Sequence, residues 1–218
     1  MPQDDGRSDW YEGIVATYDA IAEQYAADYF DELSRKPFDR ELLTRFAQLI
    51  PPGGKVCDMG CGPGHVARYL AGLGLDPLGV DISESMVAVA RRLNPRLQFQ
   101  QGDMLRLQFA DESFAGITAF YSLIHIDRPR VPQALGELFR VLTKGGLLLV
   151  AFHAGEGEVH REEYHGQAVA FHASFFGIEE LARFLDEAGF LVEESIAREP
   201  YDFEYQSRRA YILGRKLG

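Results

Sequence analysis

The chain is poor in cysteine, tryptophan and cationic side chains. Its two cysteines, Cys57 and Cys61, are too few for a disulfide framework and match no metal-ligand set, so they read as thiols of a reducing compartment. Lys and Arg number 22 against 33 Asp and Glu, a net charge of -11. That balance argues against a partner gripped mainly through phosphates, such as nucleic acid. No apolar run approaches the roughly 20 residues of a membrane-spanning helix. Residues 1–6 are polar and acidic, unlike a signal peptide, which makes the cytoplasm the expected location. There is no internal repeat and no low-complexity stretch. The 218 residues, 46% of them hydrophobic, suffice for the core of one ordinary domain.

Residues 1 to about 9 are expected to fray. The spacing of Ile14, Tyr18, Ile21, Tyr25 and Phe30 predicts a helix over 11–30 with one apolar stripe. A second helix over 38–49 is stopped by Pro51-Pro52-Gly53-Gly54. Strands are then expected at 55–59, 77–81, 97–101, 114–121 and 147–153. Helices separate them: 64–73, one capped by Ser83 and ending before Pro95, and 132–142. This alternation predicts a parallel sheet covered on both faces. A helix over 178–188, closed by Gly189, precedes strands at 190–198 and 209–214. Their connection is short enough for an antiparallel pair. Residues 153–176 read as a long irregular loop. The expectation is one doubly wound α/β domain over 1–218, with a helical cap (1–50) on a Rossmann-like core (51–218).

The densest information lies in Val56-Cys57-Asp58-Met59-Gly60-Cys61-Gly62-Pro63-Gly64. A buried strand ends in an acid, glycine recurs at every second position, and a helix follows. Such a unit brings a ligand against bare backbone at the positive end of a helix. Asp58 would repel a pyrophosphate, but suits an amino acid moiety with its ammonium and carboxylate. Asp81 and Asp103 close the next two strands, at the sheet edge where open α/β folds bind ligands.

Asp-x-Gly-x-Gly-x-Gly here resembles motif I of the class I S-adenosylmethionine (SAM) dependent methyltransferases, notably their small-molecule, type 11 branch. The resemblance spans about 18–213 and is strongest over 56–104. It implies a seven-stranded sheet finished by an antiparallel C-terminal hairpin. It places Gly60, Cys61, Gly62, Pro63 and Gly64 against the methionine part of SAM, with Asp58 near the amino group. It assigns Asp81, followed by Ile82 and Ser83, to the ribose. Gly102, Asp103 and Met104 go to the adenine, which Ile82 and Met86 flank. Tyr18 and Tyr25 would donate to the SAM carboxylate from a covering helix. Phe120 and Tyr121 would face the methyl group, and His125 would act as base or orienter. The implied partner is a small-molecule methyl acceptor, with no nucleic acid or membrane, and the protein is a monomer or homodimer. The sequence has Phe114-Ala115-Gly116 where the family often carries an Asp before the fourth strand.

Each of these residues also has a plainer role open to it. A strand-end Asp can be a turn former, the tyrosines can be core aromatics, and His125 a packed loop histidine. An NAD(P)-dependent oxidoreductase is permitted by the glycine loop and Asp81. So is a SAM-binding protein without catalysis, since methyl displacement needs no diagnostic catalytic residue. His153, His160, His165 and His172, with Glu156, Glu158, Glu162 and Glu163 between them, fit no metal pattern and read as acceptor-pocket lining; no metal is expected. The aromatic and charged stretch 198–211 reads as a hairpin with cross-strand aromatic pairs.

Overall fold

Strand β1 (Val56–Met59) is buried along its whole length, because sheet neighbours flank it and helices cover both its faces. A computed structural model describes residues 9–217; the frayed N-terminus expected from the sequence lies outside them. β1 pairs in parallel with β2 (Pro77–Asp81) on one side and β4 (Phe114–Phe120) on the other. β3 (Gln98–Gln101) adds to β2, and β5 (Leu142–Ala154) adds to β4. The order is β3-β2-β1-β4-β5-β9-β8. The chain therefore reverses its direction of travel across the sheet between β1 and β4, and the carboxyl ends of β1, β2 and β4 gather at that crevice.

β5 shows how the two-residue period builds both halves of the core. Leu148, Val150 and Phe152 pack with α5 (Val131–Val141) and α6 (Ile178–Glu187) on one face. Leu147, Leu149 and Ala151 pack on the other with Phe46 of α2 (Pro37–Leu49) and Leu70 of α3 (His65–Gly72). α4 (Glu84–Leu93) starts as its sequence predicts, with the Ser83 hydroxyl accepting from Met86 N at 3.0 Å. β9 (Arg208–Lys216) runs antiparallel between β5 and β8 (Phe190–Arg198), which is the C-terminal hairpin that the resemblance implied.

Two expectations fail. β5 begins at Leu142 rather than at 147, and residues 153–176 are not an irregular loop. They form a second sheet, in which β6 (Glu158–Tyr164) pairs antiparallel with β7 (Gln167–Ser174). The turn between them is His165-Gly166, both at positive φ, 49° and 79°, a geometry that matches strand twist in two-residue hairpins. Most of β6 is exposed and charged, which hid its alternation. The hairpin packs on α1 (Asp9–Tyr29): Ala170 N donates to Thr17 Oγ1 at 2.9 Å, and Tyr164 Oη to Asp28 Oδ2 at 2.6 Å. Together α1 and the hairpin roof the carboxyl ends of the sheet. No helix among the described residues is long and apolar enough to cross a membrane.

Candidate active site

Two adjoining cavities lie under that roof. The first encloses about 890 Å³ between atoms, and its wall includes Gly60, Gly62, Asp81, Ile82, Gly102, Asp103 and Met104. Tyr18 and Tyr25 of α1 cover it, and Phe120, Tyr121 and His125 close one side. The second, about 1120 Å³, opens beyond Tyr18, Tyr25, Tyr121 and His125, which both cavities share.

The glycine loop works by close approach. A Cβ on Gly60 (φ +70°) would sit 2.2 Å from Ser122 Cβ, so any side chain there would push β1 and the end of β4 apart. At Gly62 (φ +51°) the nearest side-chain atom would be Tyr25 Cε1 at 3.7 Å, which leaves bare backbone facing the cavity. The Gly62 N–H donates to Asp81 Oδ2 at 2.8 Å, and Ser83 N donates to Oδ1 at 3.0 Å. Each Asp81 oxygen keeps a second lone pair, enough for a vicinal diol. Burial raises the Asp81 pKa, against the pull of those backbone donors. Asp103 Oδ1 accepts from Leu105 N at 2.8 Å, and Oδ2 has no partner among the described residues.

Two residues that the sequence did not single out complete this wall. Glu32, in a short 3-10 turn (Glu32–Arg35), and His65, at the start of α3, line the first cavity together. His65 Nε2 lies 3.1 Å from Glu32 Oε1, and Lys36 Nζ lies 2.7 Å from Oε2. Although burial opposes it, these partners hold the Glu32 pKa down to about 2, so it is anionic. His65 Nδ1 is buried without a partner among the described residues. Local spacing carries no signal for the pair, because residues 33 positions apart in the chain meet only after folding.

Parts of the chain, and its fold, match known proteins. Residues 56–146 match a family model described as a methyltransferase domain. The demethylmenaquinone methyltransferase of Renibacterium salmoninarum is 38% identical over 144 residues, covering 63% of this chain and 57% of that protein. The chain thus spans a little over half the length of the curated relatives it matches. The match places a methyltransferase domain in the chain, and the fold is that of the class I SAM-dependent methyltransferases. A SAM-dependent methyltransferase from Methanosarcina mazei superposes with a TM-score of 0.71 at 20% identity, covering 78% of this chain and 95% of that one. The [4+2]-cyclase SpnF has the same fold, with a TM-score of 0.65 at 20% identity, covering 82% and 81%.

Within this methyltransferase fold, several residues expected at the cofactor stand elsewhere. Asp58 is 1% exposed and is not on the cavity wall. Its Oδ2 accepts from Ala67 N at 3.0 Å and its Oδ1 from the Thr118 hydroxyl at 2.9 Å, so it pins α3 to β1 and β4. Burial pushes its pKa up to about 6, with His65, Thr118 and Ala67 pulling the other way. Cys61, Ser83 and Met86 are buried behind the wall, where Cys61 packs against Phe99 and Met86 against Ala22 and Ala26 of α1. Pro63 and Gly64 also stand behind it; a Cβ on Gly64 would collide with Phe99.

His125 sits at the junction of the cavities with both ring nitrogens in use. Nδ1 lies 2.7 Å from the His172 carbonyl and Nε2 lies 2.8 Å from Tyr18 Oη. A carbonyl can only accept, so Nδ1 carries the proton and Nε2 accepts from the Tyr18 hydroxyl. Burial lowers the His125 pKa to about 4. Tyr18 is thereby committed to His125, while Tyr25 Oη has no partner among the described residues. The four histidines of 153–176 do not converge. His160 and His172 face each other across the hairpin, His165 stands at its turn beside Asp28, and His153 lines the second cavity. Among the described residues no group of three or more His, Cys, Asp or Glu is placed to hold a metal ion. Tyr121, non-glycine and at φ +52°, stands where the cavities meet. Backbone strain of that kind persists where the surroundings over-determine it, often at functional sites.

Proposed function

We propose that the protein transfers the methyl group of SAM, held in the first cavity, to a small-molecule acceptor held in the second. One observation carries the choice of cofactor. Glu32, Asp81 and Asp103 all line the first cavity, and no described Lys or Arg does. Asp81 and Asp103 have no cationic partner among the described residues, and with Glu32, which Lys36 partly offsets from outside the cavity, they disfavour the diphosphate of NAD(P) and favour a ligand bearing an ammonium and a sulfonium. Asp81 would hold the ribose hydroxyls and the free Oδ2 of Asp103 the adenine amino group. Glu32 and the unpartnered His65 Nδ1 would accept from the ammonium, the place expected of Asp58. Tyr25 would donate to the cofactor carboxylate.

SAM supplies a methyl group on a sulfonium whose departure leaves a neutral thioether, so no general acid is required. What remains for the protein is alignment and exclusion of water. α1 and the hairpin exclude water, and Tyr121 and the Tyr18–His125 pair shape the passage between the cavities. With Nε2 already accepting from Tyr18, His125 serves as an orienter rather than a free base. The relatives named for methylating demethylmenaquinone support a small, ring-bearing acceptor. A shared fold does not settle the reaction, as the cyclase shows. The test is release of S-adenosylhomocysteine from SAM across a panel of phenolic, enolic and carboxylate acceptors. Acceptor-dependent release is expected; SAM binding without release for any acceptor would favour a binding or non-transferring role.

A further inference from the structure

The second cavity has a charge imbalance and an unused donor, and both bear on what it holds. Its carboxylates are all engaged. Asp28 takes Tyr164 and His165, Glu32 takes Lys36 and His65, and Glu204 takes Arg198, Lys36 and Arg209 at 2.7, 3.3 and 3.6 Å. Lys36 and Arg209 are thereby neutralised. Arg35 and Arg161 also line the cavity, and neither has an ion-pair partner among the described residues. Each lies instead over an aromatic ring of the same wall, Arg35 4.3 Å from the centroid of Phe203 and Arg161 5.4 Å from that of Tyr205. In a chain of net charge -11, two uncompensated guanidiniums on one cavity form a local anion site.

The unused donor is on His153. Its Nδ1 lies 2.7 Å from Arg209 Nη1 and 2.7 Å from Ser207 Oγ. A guanidinium can only donate, so Nδ1 is the acceptor and the neutral ring carries its proton on Nε2. That N–H has no partner among the described residues. The imidazole is walled by Tyr121, Phe175 and Tyr205, with centroids at 5.2, 5.6 and 5.9 Å. Flat rings gather round the imidazole, one neutral donor is free there, and two unpaired cations line the same cavity.

We propose that the acceptor is a flat, conjugated molecule with a carboxylate, its ring against Tyr121, Phe175 and Tyr205, a ring oxygen on His153 Nε2–H, and its carboxylate on Arg35 and Arg161. This rests on the second cavity being the acceptor site of the methyltransferase. The probes are 1-hydroxy-2-naphthoate and 1-hydroxy-2-naphthamide, the same ring with and without the charge. Each is titrated calorimetrically into protein saturated with S-adenosylhomocysteine. The naphthoate is expected to bind at least about tenfold more tightly. The double variant Arg35→Gln, Arg161→Gln should remove that preference, leaving the affinities for the amide and for S-adenosylhomocysteine unchanged. His153→Phe should weaken both ring ligands alike, with unchanged S-adenosylhomocysteine affinity showing that the variant is folded. Equal binding of acid and amide, a preference that survives the double variant, or binding of neither ring ligand to protein loaded with S-adenosylhomocysteine overturns the acceptor assignment and leaves the cofactor site standing. Failure of S-adenosylhomocysteine itself to bind overturns both.

Discussion

Asp58 and Asp81 are strand-end carboxylates only one strand apart, and the structure gives them different work. Asp58 spends both oxygens on the protein, accepting from Ala67 N and the Thr118 hydroxyl. Asp58→Ala strands two buried donors and is expected to cost roughly 2–4 kcal/mol of stability, read from urea unfolding. The affinity of the folded fraction for S-adenosylhomocysteine should change little; a collapse of affinity at unchanged stability would return Asp58 to the cofactor. Asp81→Ala should lose more than about tenfold in SAM affinity by calorimetry. It should also lose about 1–3 kcal/mol of stability, because Gly62 N and Ser83 N lose their acceptor. Unchanged affinity there would sink the ribose assignment. At this scale the sequence showed Asp81 and Asp103 by their place at strand ends. It could not show that Asp58 turns inward, since that depends on Thr118 reaching it from the next strand. Nor could it show Glu32 and His65, which meet only across the fold.

At the scale of elements, the central strands and helices were legible to within a residue or two at most ends, because burial on both faces writes continuous apolar runs such as Leu147–Phe152. The β6–β7 hairpin was not. It faces solvent on one side and buries little, so its pattern is polar, and its turn is His165-Gly166 rather than the commoner Asn-Gly. It is held to α1 through side chains, among them Tyr164 Oη to Asp28 and Ala170 N to Thr17. Tyr164→Phe is expected to cost about 1 kcal/mol. Amide exchange should speed across residues 158–174 while the seven-stranded sheet stays protected. Uniform exchange throughout would show that the hairpin is no separable roof.

At the scale of the whole molecule, topology was the most legible feature, since strand–helix alternation followed by a closing hairpin leaves few arrangements. The buried titratable groups set a further whole-molecule property. His125 and His153 are held neutral, with pKa values lowered to about 4 and about 3, in both cases chiefly by burial. As pH falls below the ordinary histidine value of about 6.5, the unfolded chain takes up protons that the folded chain refuses, and stability is lost. Asp58, raised to about 6, works the other way, since the folded state protonates first. Asp81 and Asp39, also raised by burial, act with Asp58, but only a carboxylate lifted as far as Asp58 titrates much above pH 5, so the two histidines prevail there and the urea midpoint should fall between about pH 7 and pH 5. Glu32 and Glu204, both held down to about 2 despite burial, carry the loss on below about pH 4.5. A midpoint that rises on acidification would contradict the burial of these histidines.

The acidic first cavity should take an adenosyl sulfonium and not a dinucleotide. Thermal unfolding with SAM, S-adenosylhomocysteine, NAD⁺ and NADP⁺ in separate samples tests it most directly. At about 100 times its dissociation constant, a ligand adds roughly 2.7 kcal/mol, or about 5–10 °C for a chain of this size. That rise is expected for SAM and S-adenosylhomocysteine and none for the nicotinamides. A rise confined to NAD⁺ or NADP⁺ would contradict it.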